Sequence, residues 1–386
     1  MINNSKRLEN ISEYYFSMKL REVKSLIYEG KDIVNLWIGS PDLLPPENSI
    51  KTVVKSLNKK NAHKYQGYSG IYQLREEISS FYKKYFKVDL DPDQNILPLI
   101  GSKEGIFHIS MSFLNDDDSV LIPNPGYPTY SSITKLMGNK IIHYDLTERN
   151  NWEPDFSKLK KLDLNKVKIM WVNYPNMPTG RTASVKLFEK IIQFGKDNDI
   201  LIVNDNPYSF ILNDNPLSIM SIPGAMENCI ELNSMSKIYN MAGWRVGFVI
   251  GNSTFISNIL KVKSNIDSGM FYPVQMGAAN ALSQNNDWFE KLNMKYRERR
   301  ELVWELTSKL GCTFSKDNVG MFIWAKINKS TSSKEFVDNL LYKFGIFVAP
   351  GIIFGTNGEG YIRISLCNSI INIKKAISRL WKKTYI

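Results

Sequence analysis

Lys237 stands in the segment Asn233-Ser-Met-Ser-Lys-Ile-Tyr-Asn-Met-Ala-Gly-Trp-Arg-Val-Gly247, directly after a strand-like run. Most lysines are solvated surface cations. A lysine placed just past a buried strand, between small hydroxyls and glycines, suits another task. Its amine can form an imine with an aldehyde, while Ser234, Ser236 and Arg245 hold a phosphate. Asp205 closes the run Leu201-Ile-Val-Asn-Asp205 and precedes Asn206-Pro-Tyr208. Asx-Pro chemistry at a strand end is the plainer reading of that turn, and the weaker one.

Further segments have the same double character. Leu99-Ile-Gly-Ser-Lys-Glu-Gly-Ile106 passes from strand to helix through glycines. Such a turn is often only tight, but the exposed N–H groups of a helix N-terminus also bind phosphate. Pro123-Asn-Pro-Gly-Tyr-Pro-Thr-Tyr130 reads as a proline-rich loop with Tyr127 at its tip. Tyr127 there is either a surface aromatic or a flat face for an electron-poor ring. Arg363 lies among apolar neighbours in Gly360-Tyr-Ile-Arg-Ile-Ser-Leu366. A charge in such a strand must be paired or functional, and the planar guanidinium matches a carboxylate.

The elements that must position these residues follow from periodicity. Short β-branched runs alternate with longer helix-like stretches, the pattern of an α/β fold with a largely parallel sheet. Strands are expected at Ile96–Ile100, Ser119–Pro123, Lys168–Asn173, Ile200–Asp205, Cys229–Asn233 and Val246–Ile250, and an amphipathic helix at Ser184–Asp197. Several of the strands are apolar throughout, as strands covered on both faces are. Beyond Asn265 the pattern changes. A long helix is expected over Asp287–Leu310, then strands at Met321–Ile327 and Tyr361–Leu366 and a closing helix at Ile371–Trp381. This predicts a smaller α+β domain, joined by the opening residues, with a helix over Ile11–Glu29 ahead of Val34–Ile38.

At 386 residues the chain is long for a single core, so two domains are expected. The three cysteines and three histidines are scattered, which suggests neither a disulfide framework nor a metal site. Met1–Asn10 lacks the apolar core of a signal peptide, and runs such as Ile200–Val203 are too short to span a bilayer. A reducing cytoplasm and no membrane partner are expected. The formal charge of +11 is spread along the chain. It fits a lysine-rich solvated surface better than a nucleic-acid interface.

Ser-x-Ser-Lys, then Gly-Trp-Arg-x-Gly, resembles the lysine motif of the class I/II aminotransferases, pyridoxal-phosphate (PLP) enzymes of fold type I. The other motifs occur in family order over nearly the whole chain. The resemblance implies a large domain with a mostly parallel seven-stranded sheet over residues 46–290. A small α+β domain would form from 1–45 and 291–386. It implies PLP on Lys237 as a Schiff base, Asp205 on the pyridine nitrogen, and Tyr208 donating to the phenolic oxygen. Phosphate contacts fall to Ser102, the Lys103 backbone, Ser234, Ser236 and Arg245, and Tyr127 stacks on the ring. The substrate α-carboxylate is expected on Arg363 and near Gly39 of Trp37-Ile-Gly-Ser-Pro-Asp42. Tyr65, in Lys64-Tyr-Gln-Gly-Tyr-Ser-Gly-Ile-Tyr-Gln-Leu-Arg75, matches the tyrosine that reaches a neighbouring subunit's phosphate. It implies a homodimer with shared sites.

Many relatives read Asn-Pro-Thr-Gly where this chain has Asn173-Tyr-Pro-Asn-Met-Pro-Thr-Gly180. Met177 therefore takes the usual Asn position, and the Asn176 side chain is expected to point elsewhere. Lys261-Val-Lys-Ser-Asn-Ile-Asp-Ser-Gly-Met-Phe271 and the Gly126-Tyr-Pro loop are similar to the branch holding LL-diaminopimelate and alanine aminotransferases. Lys103 also suits an acidic substrate such as aspartate. The partner pair implied is glutamate and 2-oxoglutarate. A PLP-dependent lyase or synthase on the same fold remains the alternative. So does a PLP-sensing regulator, although such proteins carry a DNA-binding domain ahead of this fold and only a short segment precedes Gly39.

Overall fold

The computed structural model describes residues 2–8, 15–285 and 287–381. Among the described residues thirteen strands follow in chain order: β1 Val34–Asn35, β2 Ile96–Leu99, β3 Ser119–Asn124, β4 Lys140–Asp145, β5 Val167–Val172, β6 Leu201–Asp205, β7 Cys229–Ser234, β8 Gly247–Ile250, β9 Cys312–Phe314, β10 Phe322–Ile327, β11 Ile346–Phe347, β12 Ala349–Pro350 and β13 Tyr361–Ser365. Seven of them form one sheet in the order β2-β8-β7-β6-β5-β3-β4. Its neighbours are parallel except around β8, which runs antiparallel to both β2 and β7.

The alternation of side chains along these strands builds two apolar layers. Ile169 and Trp171 of β5, Leu201 and Val203 of β6, and Ile230 and Leu232 of β7 share one face. That face packs under Ile106 and Ile109 of the helix Ser102–Phe113, Tyr130 of the helix Pro128–Met137, and Ile256 and Ile259 of the helix Ser253–Lys263. Met170, Val172, Ile202 and Cys229 point the other way. There they meet a layer that includes Leu187, Phe188, Ile191 and Ile192 of the helix Val185–Asp197. Ser184 starts that helix: its Oγ accepts from the Leu187 N–H at 3.1 Å, satisfying one donor of the first turn. Asp205, two residues beyond Val203, faces the first layer. It lies at the carboxyl end of the sheet, where open parallel sheets bind ligands.

The second sheet, β12-β13-β10-β9, is antiparallel. β1 pairs in parallel with β11. The chain after β1 is clamped further. The Leu36 N–H donates to the Phe347 carbonyl and the Ser365 N–H to the Leu36 carbonyl, both at 2.8 Å. Residues 35–39 are thereby pinned against segments more than three hundred positions away. The long helix Asp287–Lys309 and the closing helix Ile370–Trp381 lie where expected. The opening helix runs Tyr15–Tyr28, and residues 11–14 of the expected span lie outside the described residues. Among the described residues, no helix is long and apolar enough to cross a membrane.

Candidate active site

Between the ends of the two sheets lies a cavity of about 620 Å³. It is lined by Gly39, Ser102, Lys103, Tyr127, Asp205, Tyr208, Ser234, Ser236, Lys237, Arg245 and Arg363. All the residues singled out in the sequence meet there except Tyr65, which is exposed away from it. The residues come from strand ends, helix starts and the segment 35–39, with up to 324 positions between them.

Lys237 sits on the short helix Met235–Ile238, one turn past β7. Ser234 caps that turn by accepting from the Ser236 N–H at 3.2 Å. The Lys237 Nζ donates to the Gly39 carbonyl at 2.5 Å. Burial pushes the ammonium below the usual lysine range. Arg363 and Arg245 push the same way, against Cys367 and Asp205. An amine with a depressed pKa supplies the uncharged form that attacks a carbonyl.

Asp205 Oδ2 accepts from Tyr130 Oη at 2.7 Å, and its backbone carbonyl accepts from Asn173 Nδ2 at 2.6 Å. Burial raises its carboxyl to about 6. Asp205 Oδ1 is buried with no hydrogen bond among the described residues. A buried acceptor left unmade is costly, so it calls for a donor from a bound group. A pyridine ring carrying a proton on its nitrogen is such a donor. This is the observation on which PLP fits the site.

The end of the cavity where the phosphate is expected is built by close backbone approach. Gly101 has φ +82°, and a Cβ on it would lie 2.2 Å from Arg245 Nη2. A Cβ on Gly247 would lie 2.5 Å from the Ser102 nitrogen. A Cβ at Gly247 would meet backbone, and one at Gly101 would sit at a left-handed angle against the Arg245 guanidinium, so the two glycines set the start of the helix Ser102–Phe113 close beside the Ser234–Arg245 segment. Helix N–H groups, the hydroxyls of Ser102, Ser234 and Ser236 and the Arg245 guanidinium suit an anion. Tyr127 stands edge-on to Tyr130 at 5.6 Å. Burial raises the phenols of Tyr127 and Tyr208, which therefore keep their protons.

Arg363 of β13 is buried, its guanidinium 3.9 Å from the centre of the Phe322 ring and 4.7 Å from that of Phe354. Nη2 donates to the Trp37 carbonyl at 2.9 Å and Nη1 to Met177 Sδ at 3.2 Å. Gly39 leaves room for Phe322, whose Cζ would stand 2.4 Å from a Cβ there. Asn176 turns away as expected: its Oδ1 accepts from Thr179 Oγ1 at 2.8 Å. Met177 takes its place in the cavity wall.

Sequence reasoning missed Tyr130, the partner of Asp205, and the apolar wall of Phe16, Trp37, Phe322, Ile353 and Phe354. Tyr130 carries a weak signal, three residues after Tyr127 and so one helical turn on. Glu104, His108 and Asp267 also cluster, but outside the cavity. Lys263 Nζ already holds both Asp267 oxygens at 2.6 and 2.8 Å and serves as the cation there.

Residues 31–380 match the family model described as aminotransferase class I and II. The LL-diaminopimelate aminotransferase of Natranaerobius thermophilus is 39% identical over 98% of this chain and 99% of its own. That of Aquifex aeolicus is 37% identical over 98% and 99%. Among solved structures, apo-BacF from Bacillus subtilis superposes with a TM-score of 0.94 at 31% identity, covering 99% of this chain and 98% of that one. A mutant aspartate aminotransferase of Thermus thermophilus gives 0.92 at 22% identity, over 99% and 100%, a likeness of fold.

Proposed function

Because this chain belongs to the class I and II aminotransferases, PLP-dependent enzymes of fold type I, we propose that it transfers the amino group of LL-diaminopimelate to 2-oxoglutarate. The observation that carries the site assignment is the convergence of Lys237 Nζ, the unpartnered Asp205 Oδ1 and the Arg363 guanidinium on one cavity. The donor rests on the curated relatives of 36–39% identity, which bear that name over nearly their full length. Lys103 on the same wall supplies a cation for a second carboxylate.

PLP, when bound, supplies the carbonyl that takes up the amino group and an electron-poor ring that withdraws charge from the substrate α-carbon. Ser102, the Lys103 N–H, Ser234, Ser236 and Arg245 would hold its phosphate. Asp205 Oδ1 would keep its ring nitrogen protonated, and Tyr208 would donate to its phenolic oxygen. Tyr127 would pack against the ring. Arg363 and the backbone at Gly39 orient the substrate carboxylate. That orientation sets the Cα–H bond toward Lys237 Nζ, which accepts the proton and returns it as a general acid. Tyr65 is exposed with Tyr68, Tyr72, Ile266 and Phe271, a surface suited to a second copy of the chain. In the homodimer we propose, Tyr65 reaches the neighbour's phosphate. Three free buried cysteines agree with a reducing cytoplasm.

The test is a panel of amino donors, LL-diaminopimelate, aspartate, alanine and glutamate, given singly to the PLP-loaded enzyme. Loss of the visible cofactor band and glutamate formation from 2-oxoglutarate are followed. LL-diaminopimelate is expected to give the highest kcat/KM. A higher value for aspartate or alanine rejects the donor. Release of ammonia or thiol without an oxo acid rejects the transferase reading.

A further inference from the structure

Met177 stands in the cavity wall, where its sulfur accepts from Arg363 Nη1. Its position is fixed from behind. The Met177 N–H donates to Asn173 Oδ1 at 2.7 Å, and Asn173 Nδ2 is tied to the Asp205 carbonyl. The thioether is therefore held by the same strand end that presents Asp205. Sδ lies 3.2 Å from Nη1, on the opposite arm of the guanidinium from the Trp37 carbonyl on Nη2. The Phe322 and Phe354 rings flank the same group. Rings set the tilt of a planar cation but leave it free to turn within its plane. An acceptor on each arm stops that turn.

We propose that Met177 is a positioning residue for carboxylate recognition, its sulfur holding the Arg363 guanidinium in the orientation that meets a substrate carboxylate. The chemistry of the atom suits the role. A thioether is a weak, neutral acceptor. It orients the cation without neutralising it, so the full charge stays available for a bidentate carboxylate. A carboxylate side chain at 177 would satisfy the arginine and compete with substrate. An aliphatic side chain of the same bulk would fill the wall and leave Nη1 without the sulfur acceptor.

This inference rests on the reading of Arg363 as the carboxylate site, and the experiment separates the two. Succinate, which has neither an amine nor a keto group, is titrated calorimetrically into the PLP-loaded enzyme, its M177L and M177N variants, and R363K. Steady-state KM and kcat are measured alongside. For M177L we expect succinate Kd and both substrate KM values to rise about 3- to 10-fold, the effect of one modest hydrogen bond, with kcat within about twofold. M177N offers an amide oxygen in place of the sulfur and is expected to restore succinate binding to within about twofold of the native value. An M177L variant that binds succinate as tightly as the native enzyme, or more tightly, overturns the proposal, because the sulfur would then be idle or a competitor. Unrestored binding in M177N with an unchanged melting temperature overturns it too. If R363K binds succinate as the native enzyme does, the parent reading fails as well.

Discussion

Asp205 is held in a setting that costs the empty protein stability and is made good only by a ligand. Its carboxyl sits at about 6 rather than at the ordinary 3.8, because it is buried. At about 1.4 kcal/mol for each pH unit, the ionised form costs the cofactor-free protein about 3 kcal/mol near pH 7.5. The folded state binds the proton more tightly than the unfolded chain. The penalty is therefore absent below pH 3.8, grows through the interval to about 6, and is complete above it. Asp205→Asn removes the charge and keeps an oxygen for Tyr130. Urea unfolding of the apoproteins at pH 7.5 is expected to show the variant more stable by up to about 3 kcal/mol. That gain should shrink as the pH is lowered from 6.5 toward 4.5. With saturating PLP the order should reverse, since the native carboxylate then has its ring N–H and the ligand stabilises by mass action. A variant apoprotein less stable than native at pH 7.5, or a gain that ignores pH, refutes the reasoning.

Two further outcomes follow from the same geometry. Lys237→Ala should lose the visible band of the lysine-bound cofactor and at least about 10³-fold in turnover, read by absorbance and by glutamate formation; full activity would remove Lys237 from the chemistry. Gly101→Ala places a Cβ against Arg245 at a left-handed backbone angle. It should weaken PLP binding to the apoprotein about tenfold or more by displacing one charge-assisted contact, while Gly138→Ala, whose site is open, should leave PLP binding unchanged.

Local contiguity decided what was legible in the sequence. Lys237 and Arg245 share one loop, and Asp205 and Tyr208 share one strand end, so their spacing already carried the site. The six strands expected of the large sheet, several of them apolar throughout, announced themselves for the same reason. The seventh, β4, did not. Lys140-Ile-Ile-His-Tyr-Asp145 is an edge strand with half its side chains in solvent, and its mixed polarity resembles a loop. Tyr130 and Asp205 are 75 positions apart, and Met177 and Arg363 are 186. Each pair meets only because of the strand order β6-β5-β3 or the docking of β13 under residues 35–39. No local periodicity encodes such an encounter. The departure at Met177 was visible as a missing amide, but its new partner was not.

The clamp on residues 35–39 also bears on when the protein becomes an enzyme during its synthesis. Lys237 is held by the carbonyl of Gly39, and Arg363 by that of Trp37. The Ser365 hydroxyl donates to the Ile38 carbonyl at 2.8 Å, and Asn368 Nδ2 to that of Asn35 at the same distance. An early segment is thus fastened by residues made more than three hundred positions after it. The large sheet has all its strands by Ile250, so a nascent chain can shape the phosphate end first. It lacks the carboxylate end until β13 has emerged. On the proposed roles of these residues, a chain that has reached Ile250 carries the groups for the phosphate before Arg363, the group for the substrate carboxylate, has been made.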